Sequence, residues 1–369
     1  MENLKKPAEP AIIKYLNAKA AQAGTPLNLT FELTSRCNFS CKMCYVHSES
    51  CNKNKAQELT AKQWIDIAQS AKNAGAVFIL LTGGEPFVRE DFCEIYEAIA
   101  KMGFVISLNT NLSLLSDKIL ETLKNYPPRR INVSLYGMSD ETYTSLCGIP
   151  AFGTVRENIT KLIKNGLPVK INSSITGRNE KDLEKMMEFC DGLGIPYKAT
   201  GYMFPSARLG IERERLEPRG AAEIRARIDR HCFTNEEYND RIRRIRAGIE
   251  LEKSGDCPEE NDGMDRIRCR AGKTSAWIDR SGNMSFCGMI PADERLNVTS
   301  LGLEKCWQAV RKKAAAVRMP SKCSSCEYKH ICIICAASQF CETGGYDDPP
   351  EAICEIAKNT LKEYENLRR

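Results

Sequence analysis

The sequence predicts an α/β protein: six strand–helix units, followed by a small, loop-rich segment dense in cysteine. Three observations carry this. Short β-rich runs alternate with amphipathic stretches from about residue 27 to 210. Glycine closes several of the amphipathic stretches. After Gly210 the composition changes, and more than half of the eighteen cysteines fall between 257 and 354.

The candidate strands are residues 27–33, 77–81, 105–109, 131–135, 169–175 and 197–204. The helical patterns between them are 61–74, 91–102, 117–125, 155–165 and 180–193. Gly75, Gly103, Gly166 and Gly194 each follow one of these patterns, where a left-handed residue closes a helix. Repeated units of this length imply parallel strands with right-handed crossovers. Six of them make an open (β/α)6 barrel, and on pattern alone a doubly wound sheet answers equally. Residues 1–26 form an N-terminal extension, 27–210 the strand–helix region, 211–256 a charged helical linker and 257–369 the cysteine segment. That last segment has no long apolar runs, so metal clusters would supply the cross-links its small core lacks.

Apolar residues make up 42% of the chain and charged residues 27%, the composition of an ordinary globular protein. The net charge of +5 is dispersed. Its densest basic stretch, 213–246, is interleaved with Glu and Asp, which describes a solvated helix face and not a nucleic-acid surface. The first residues lack the apolar core of a secretory signal, and no apolar run is long enough to span a bilayer. A cytoplasmic protein is expected, without membrane or nucleic-acid partners. In that setting clustered cysteines point to metal ligands before disulfides.

Cys37, Cys41 and Cys44 follow the first candidate strand, at the end of a parallel barrel where loops carry chemistry. Three thiolates within eight residues hold one face of a cubane and leave a fourth iron open. A zinc site completed by His47 is the alternative. Gly83-Gly84-Glu85-Pro86 follows the second strand and reaches the same rim; two glycines permit close backbone approach, and Glu85 can accept from an ammonium group. Downstream, Cys323, Cys326, Cys332 and Cys335 form paired CxxC units that suit zinc or iron–sulfur. Cys51, Cys93, Cys147, Cys190, Cys232 and Cys306 read as packing residues.

The CxxxCxxC loop and the GGEP loop together resemble the radical SAM superfamily. Met43 and Tyr45 stand where the family has apolar or aromatic residues. The resemblance implies a partial (β/α)6 barrel holding a SAM-cleaving 4Fe–4S cluster on Cys37, Cys41 and Cys44. It implies S-adenosylmethionine contacts from Gly83, Gly84, Glu85, Pro86, Asn109, Thr110, Asn111 and Ser134. It further implies reductive cleavage to a 5′-deoxyadenosyl radical that abstracts hydrogen from a substrate, driven by a flavodoxin- or ferredoxin-type reductant. Where relatives carry an Arg before a Gly, this chain has Leu146-Cys147-Gly148, and no carboxylate-binding Arg is carried over.

The C-terminal cysteines resemble the SPASM extension of peptide-modifying radical SAM enzymes. That resemblance assigns Cys323, Cys326, Cys332 and Cys354 to an outer auxiliary 4Fe–4S cluster, and Cys269, Cys287 and Cys335 to an inner one. Cys341 and Cys257 compete for the remaining inner position, which is otherwise an open iron. The implied substrate is a ribosomally made peptide undergoing cross-linking, epimerisation or related maturation. Sulfatase-type oxidation to formylglycine is an alternative, disfavoured by Gly288 directly after Cys287. A small-molecule radical dehydrogenase and a zinc- or iron–sulfur-stapled binding or electron-transfer protein are the others. Only 26 residues precede the first strand, too few for the winged-helix leader-binding domain of many relatives. A separate leader-binding protein, or a short or non-peptide substrate, is therefore expected.

Overall fold

The structure is a computed structural model that describes residues 10–46, 58–206, 212–254, 266–291 and 296–368. Six strands, β1 (Asn28–Glu32), β2 (Phe78–Thr82), β3 (Val105–Thr110), β4 (Arg130–Ser134), β5 (Val169–Ser174) and β6 (Tyr197–Thr200), pair in sequence order, each parallel to the last. Between them lie α2 (Ala61–Asn73), α3 (Phe92–Lys101), α4 (Asp117–Asn125), α5 (Asp140–Cys147), α6 (Phe152–Lys164) and α7 (Leu183–Leu193), with α1 (Ala11–Ala23) ahead of β1. Gly75, Gly103, Gly166 and Gly194 all have positive φ, as helix-closing residues require.

Alternation within the strands decides between the two candidate architectures. Leu29, Phe31, Ile79, Leu81, Ile106, Leu108, Ile131, Val133 and Ile171 are buried, and Phe31 stacks near Trp64 of α2. The intervening positions, among them Thr30, Ser107, Asn109, Asn132, Lys170 and Asn172, are polar and half-buried. A doubly wound sheet buries both faces in apolar contact. Here helices cover one face and leave the other polar and open, as in a partial barrel.

The sheet does not stop at six strands. β7 (Ser275–Ile278), from the cysteine segment, pairs parallel to β1, and β8 (Met284–Ser285) pairs antiparallel to β7. Trp277 Nε1 donates to the buried Glu32 Oε2 at 2.8 Å, fastening this edge. Asn17 of α1 accepts from Asn28 and Thr274, so the N-terminal helix caps the same junction. Two further differences from the sequence reading are local. The strand expected to run to residue 204 ends at Thr200, whose hydroxyl accepts from Tyr202 N and turns the chain. The short helix α5 was not anticipated; Ser139 caps it, and its few buried positions give too brief a period to read.

Beyond the sheet, α8 (Pro218–Cys232) packs along α13 (Glu351–Asn366). Beside them α9 (Asn235–Ser254) presents Tyr238, Ile242, Ile245 and Ile249 to Tyr364 and Ala357. The short α10 (Val298–Leu301), α11 (Leu303–Ala316) and α12 (Ala336–Thr343) complete the C-terminal part. No described helix is long and apolar enough to cross a membrane.

One buried cation ties the start of the functional loops. Arg89 donates to Leu33 O at 2.9 Å, Leu59 O at 3.0 Å and both Asp91 carboxylate oxygens, with Glu58 at 3.7 Å. Replacing it by Leu strands the Leu33 and Leu59 carbonyls in the interior, while Glu58 keeps Arg36 as its partner. Arg89→Leu is expected to lower unfolding stability by about 2–4 kcal/mol, read from denaturant midpoints.

Candidate active site

The loop after β1 is anchored by α5. Ser40 N donates to Cys147 O at 2.9 Å and Lys42 N to Leu146 O at 3.0 Å. Phe39 is buried edge-on against Tyr143 at 6.2 Å. The loop is thereby folded back, and its three thiols gather. Burial pushes the Cys37 thiol well up; Glu85, Cys41 and Cys44 nearby add to that, opposed by the Phe39 N–H at 3.4 Å. The Cys41 thiol is raised by a hydrogen bond with Cys147 and by burial.

The loop after β2 lies against the cysteine loop backbone to backbone. Gly84 N donates to Thr34 O at 2.7 Å and Glu85 N to Arg36 O at 2.9 Å. A Cβ on Gly83 would sit 2.6 Å from Thr34 O, and one on Gly84 2.3 Å from Arg36 O. Glycine is demanded here by close approach.

Glu85 is completely buried. Its Oε1 accepts from Phe87 N at 3.1 Å and Thr110 Oγ1 at 2.7 Å, and its Oε2 from Asn111 N at 2.6 Å. Burial pushes its carboxyl up to about 7 against those three donors. With three of roughly four acceptor positions filled, one remains on Oε2. Pro86 opens the one-turn helix Pro86–Val88 and is buried.

The other expected residues divide. The Asn111 side chain donates toward Cys37 Sγ at 3.7 Å and to Asn38 Oδ1 at 3.0 Å, and accepts from Ser113, so it serves the thiol loop. Thr110 holds Glu85. Leu112 is the one described non-glycine residue with positive φ, 63°, and this strained turn brings Asn111 N back to Glu85. Asn109 accepts from Asn132 at 2.8 Å and faces Thr82 at 3.5 Å on the open face of the sheet. Ser134, at the end of β4, bonds the Tyr136 hydroxyl, which burial raises far above its ordinary range and which also senses Cys41, Cys147 and Cys44.

Tyr136 and Cys147 are the residues sequence reasoning overlooked. Cys147 was read as packing. It is buried, as are Cys93, Cys190 and Cys306, but it also touches Cys41. Only the fold of α5 brings these two thiols together, 106 residues apart in sequence.

Cys323, Cys326, Cys332 and Cys354 line one cavity of about 220 Å³, with Ile334 and Ile353 among its apolar walls. Burial and the three neighbouring thiols push Cys323 up to about 11. A separate group surrounds Cys287, raised to about 11 by burial and then by Cys335, Cys269 and Cys341. Cys335 caps α12 and Cys341 lies within it, with Met289 O 3.5 Å from the Cys341 thiol. Cys257 and His47 lie outside the described residues. Among the described residues, no three His, Cys, Asp or Glu side chains are gathered as tightly as a single ion requires. Both groups are all-thiol sets, a donor chemistry that suits zinc or iron–sulfur.

Residues 31–190 match the family model of the Radical SAM superfamily. Residues 31–190 therefore carry a radical SAM domain, the part of the chain that makes it an enzyme. It is similar to an AdoMet-dependent heme synthase from Methanosarcina barkeri, with 26% identity over 92% of this chain and 99% of that protein. It is 37% identical to a probable GTP 3′,8-cyclase from Saccharolobus islandicus over 47% of this chain, and spans 56% of that relative's length. The structure resembles that of SuiB from Streptococcus suis bound to S-adenosylmethionine, with TM-score 0.67, 17% identity, and 96% and 83% of the two chains covered. A second SuiB structure, bound to precursor peptide SuiA, gives 0.66 at 16% identity, with the same two shares covered. At these identities the structural likeness speaks to the fold.

Because the β2 loop has no room for a methyl group, Gly84→Ala is expected to weaken S-adenosylmethionine binding roughly tenfold or more, measured by equilibrium dialysis. Any metal held by Cys323, Cys326, Cys332 and Cys354 should remain, since no residue of the β2 loop lines that cavity.

Proposed function

We propose that the protein cleaves S-adenosylmethionine reductively at a cluster held by Cys37, Cys41 and Cys44, and uses the resulting radical to modify a ribosomally made peptide. The observation that carries the reading is the backbone seam between residues 34–36 and 83–85, which sets a buried carboxylate, Glu85, beside three converging thiols. When bound, a reduced 4Fe–4S cluster supplies the electron that breaks the C5′–S bond of the sulfonium. The chain's own residues bind and orient. Cys37, Cys41 and Cys44 leave one iron for the methionine moiety. Gly83, Gly84 and Pro86 shape the amino-group pocket, and the free Oε2 position of Glu85 accepts from the ammonium. Thr110 and the Asn111 N–H fix that carboxylate, while Asn109 and Ser134 line the ribose side. Phe39, Leu112 and the α5 end exclude water from the thiol loop.

Residues 257–369 would form a SPASM extension with two auxiliary clusters. Cys323, Cys326, Cys332 and Cys354 hold the outer one around their shared cavity. Cys269, Cys287, Cys335 and Cys341 would hold the inner one, whose chemistry would then be electron transfer. Cys335 and Cys341 are both assigned to it because both thiols stand near Cys287. A flavodoxin- or ferredoxin-type reductant is the matching partner, and a separate protein would recognise a leader.

The peptide reading is supported by the fold shared with SuiB, solved with a precursor peptide. A second reading has its own observation. The likeness to the heme synthase runs almost end to end in both chains, which favours a tetrapyrrole substrate.

After anaerobic reconstitution the protein should carry roughly twelve iron atoms and, with dithionite, form 5′-deoxyadenosine. Cys41→Ala should abolish that product; if it persists, the reading is wrong. Cys341→Ala should lose about four irons while SAM cleavage continues, and retention of all the iron would return the inner ligand role to Cys335 alone. Mass spectrometry of a peptide encoded beside the gene, against a porphyrin control, separates the two substrate readings.

A further inference from the structure

The open face of the sheet carries a line of polar side chains at one height. The parallel registers set Glu32 beside Thr82, Asn109 beside Asn132 and Asn132 beside Lys170. One step toward the strand ends, Ser134, Asn172 and Lys198 stand in a second line. The β1 end of the first line is occupied: Glu32 accepts from Trp277, and Asn109 accepts from Asn132.

The opposite end is not compensated. Lys170 is half-buried, with Lys198 and Arg130 as its charged neighbours. Among the described residues, none of these three side chains makes an ion pair or hydrogen bond with a protein group. Burial, then Lys198 and Arg130, push the Lys170 amine down to about 8. Between the two lysines, Asn172 Oδ1 is buried and has no donor. Lys170, the Lys198 of the next strand and the orphaned acceptor between them form an arrangement that no described group of the chain relieves, with Arg130 on the far side of Lys170 from Lys198. Its complement is a ligand with a carboxylate and, close to it, an N–H.

We propose that Lys170 and Lys198 bind the side-chain carboxylate of an acidic residue in the peptide substrate, while Asn172 Oδ1 accepts that residue's backbone N–H. This rests on the peptide reading above and adds a specificity determinant to it. Lys170 stands three strands from Thr82, about 14 Å at ordinary strand spacing. An extended peptide covers that in about four residues. The acidic anchor therefore lies about four extended residues from the end of β2, where the Gly83–Glu85 loop begins. A tetrapyrrole propionate would meet the cations but leave Asn172 unsatisfied.

The test uses reconstituted full-length enzyme with SAM and a fluorescein-labelled nonapeptide of Ala and Ser with one central Glu, beside a twin carrying Gln. Fluorescence anisotropy in low salt should show the Glu peptide binding about tenfold tighter. Lys170→Gln combined with Lys198→Gln should remove that preference, leave the Gln twin's weaker binding as it was, and Lys170→Arg should keep most of it. Equal binding of the twins to the native protein overturns the proposal, as does a preference that survives the double substitution. Asn172→Asp should weaken the Glu peptide more than the twin. A porphyrin bearing propionates that binds through Lys170 when the Glu peptide does not also overturns it, in favour of the small-molecule reading. Formation of 5′-deoxyadenosine by the native protein, measured alongside, reports separately on whether SAM is cleaved at all.

Discussion

Two short backbone hydrogen bonds, from Gly84 N to Thr34 O and from Glu85 N to Arg36 O, are the contacts on which the rest of the site depends. They can form only because neither glycine projects a side chain into the seam. Everything chemically useful is referred to them. The thiol loop leaves β1 on one side of the seam, Glu85 leaves β2 on the other, and the strained turn at Leu112 brings the β3 end into register with both. Parallel strands deliver the three loops to one rim, and the seam converts proximity into a fixed relation.

The second constraint is the edge of the sheet. A parallel sheet with one bare edge exposes unpaired backbone groups at β1, the strand that carries the cysteine loop. β7 covers that edge, and Trp277 reaches Glu32 across it. The segment carrying the C-terminal thiols thus hangs from the same sheet as the loop of Cys37, Cys41 and Cys44. Gly288 lies directly against the Trp277 ring, where a Cβ would approach to 2.3 Å, which accounts for glycine immediately after Cys287.

Much of this was legible because it is local. Strand and helix periods, glycine at helix ends and thiol spacing are properties of neighbouring residues, and the loops after β1 and β2 could be assigned to one rim from strand order alone. What could not be read depends on contacts between distant segments. Cys147 looks like any small buried residue until α5 is folded against the loop bearing Cys41. Tyr136 sits in an apolar strand end, and only its hydroxyl's surroundings distinguish it. That Cys335 and Cys341 both come near Cys287 depends on the orientation of α12, which no spacing rule supplies. Lys170 and Lys198 are ordinary alternating polar residues until two strands are aligned. Strand pairing between β1 and β7 left no trace in either segment.

That pairing also governs the order in which the molecule can be made. The Trp277–Glu32 contact joins positions 245 residues apart. During synthesis β1 emerges first and waits, its outer edge bare, until about two-thirds of the chain has followed. Contacts so distant in sequence close slowly, and a waiting parallel edge is open to pairing with another chain. The α1 helix, already made and touching Asn28 through Asn17, is the element available to shield that edge in the interval. Settling of the first cysteine loop and covering of the sheet edge by β7 are then linked events in biogenesis.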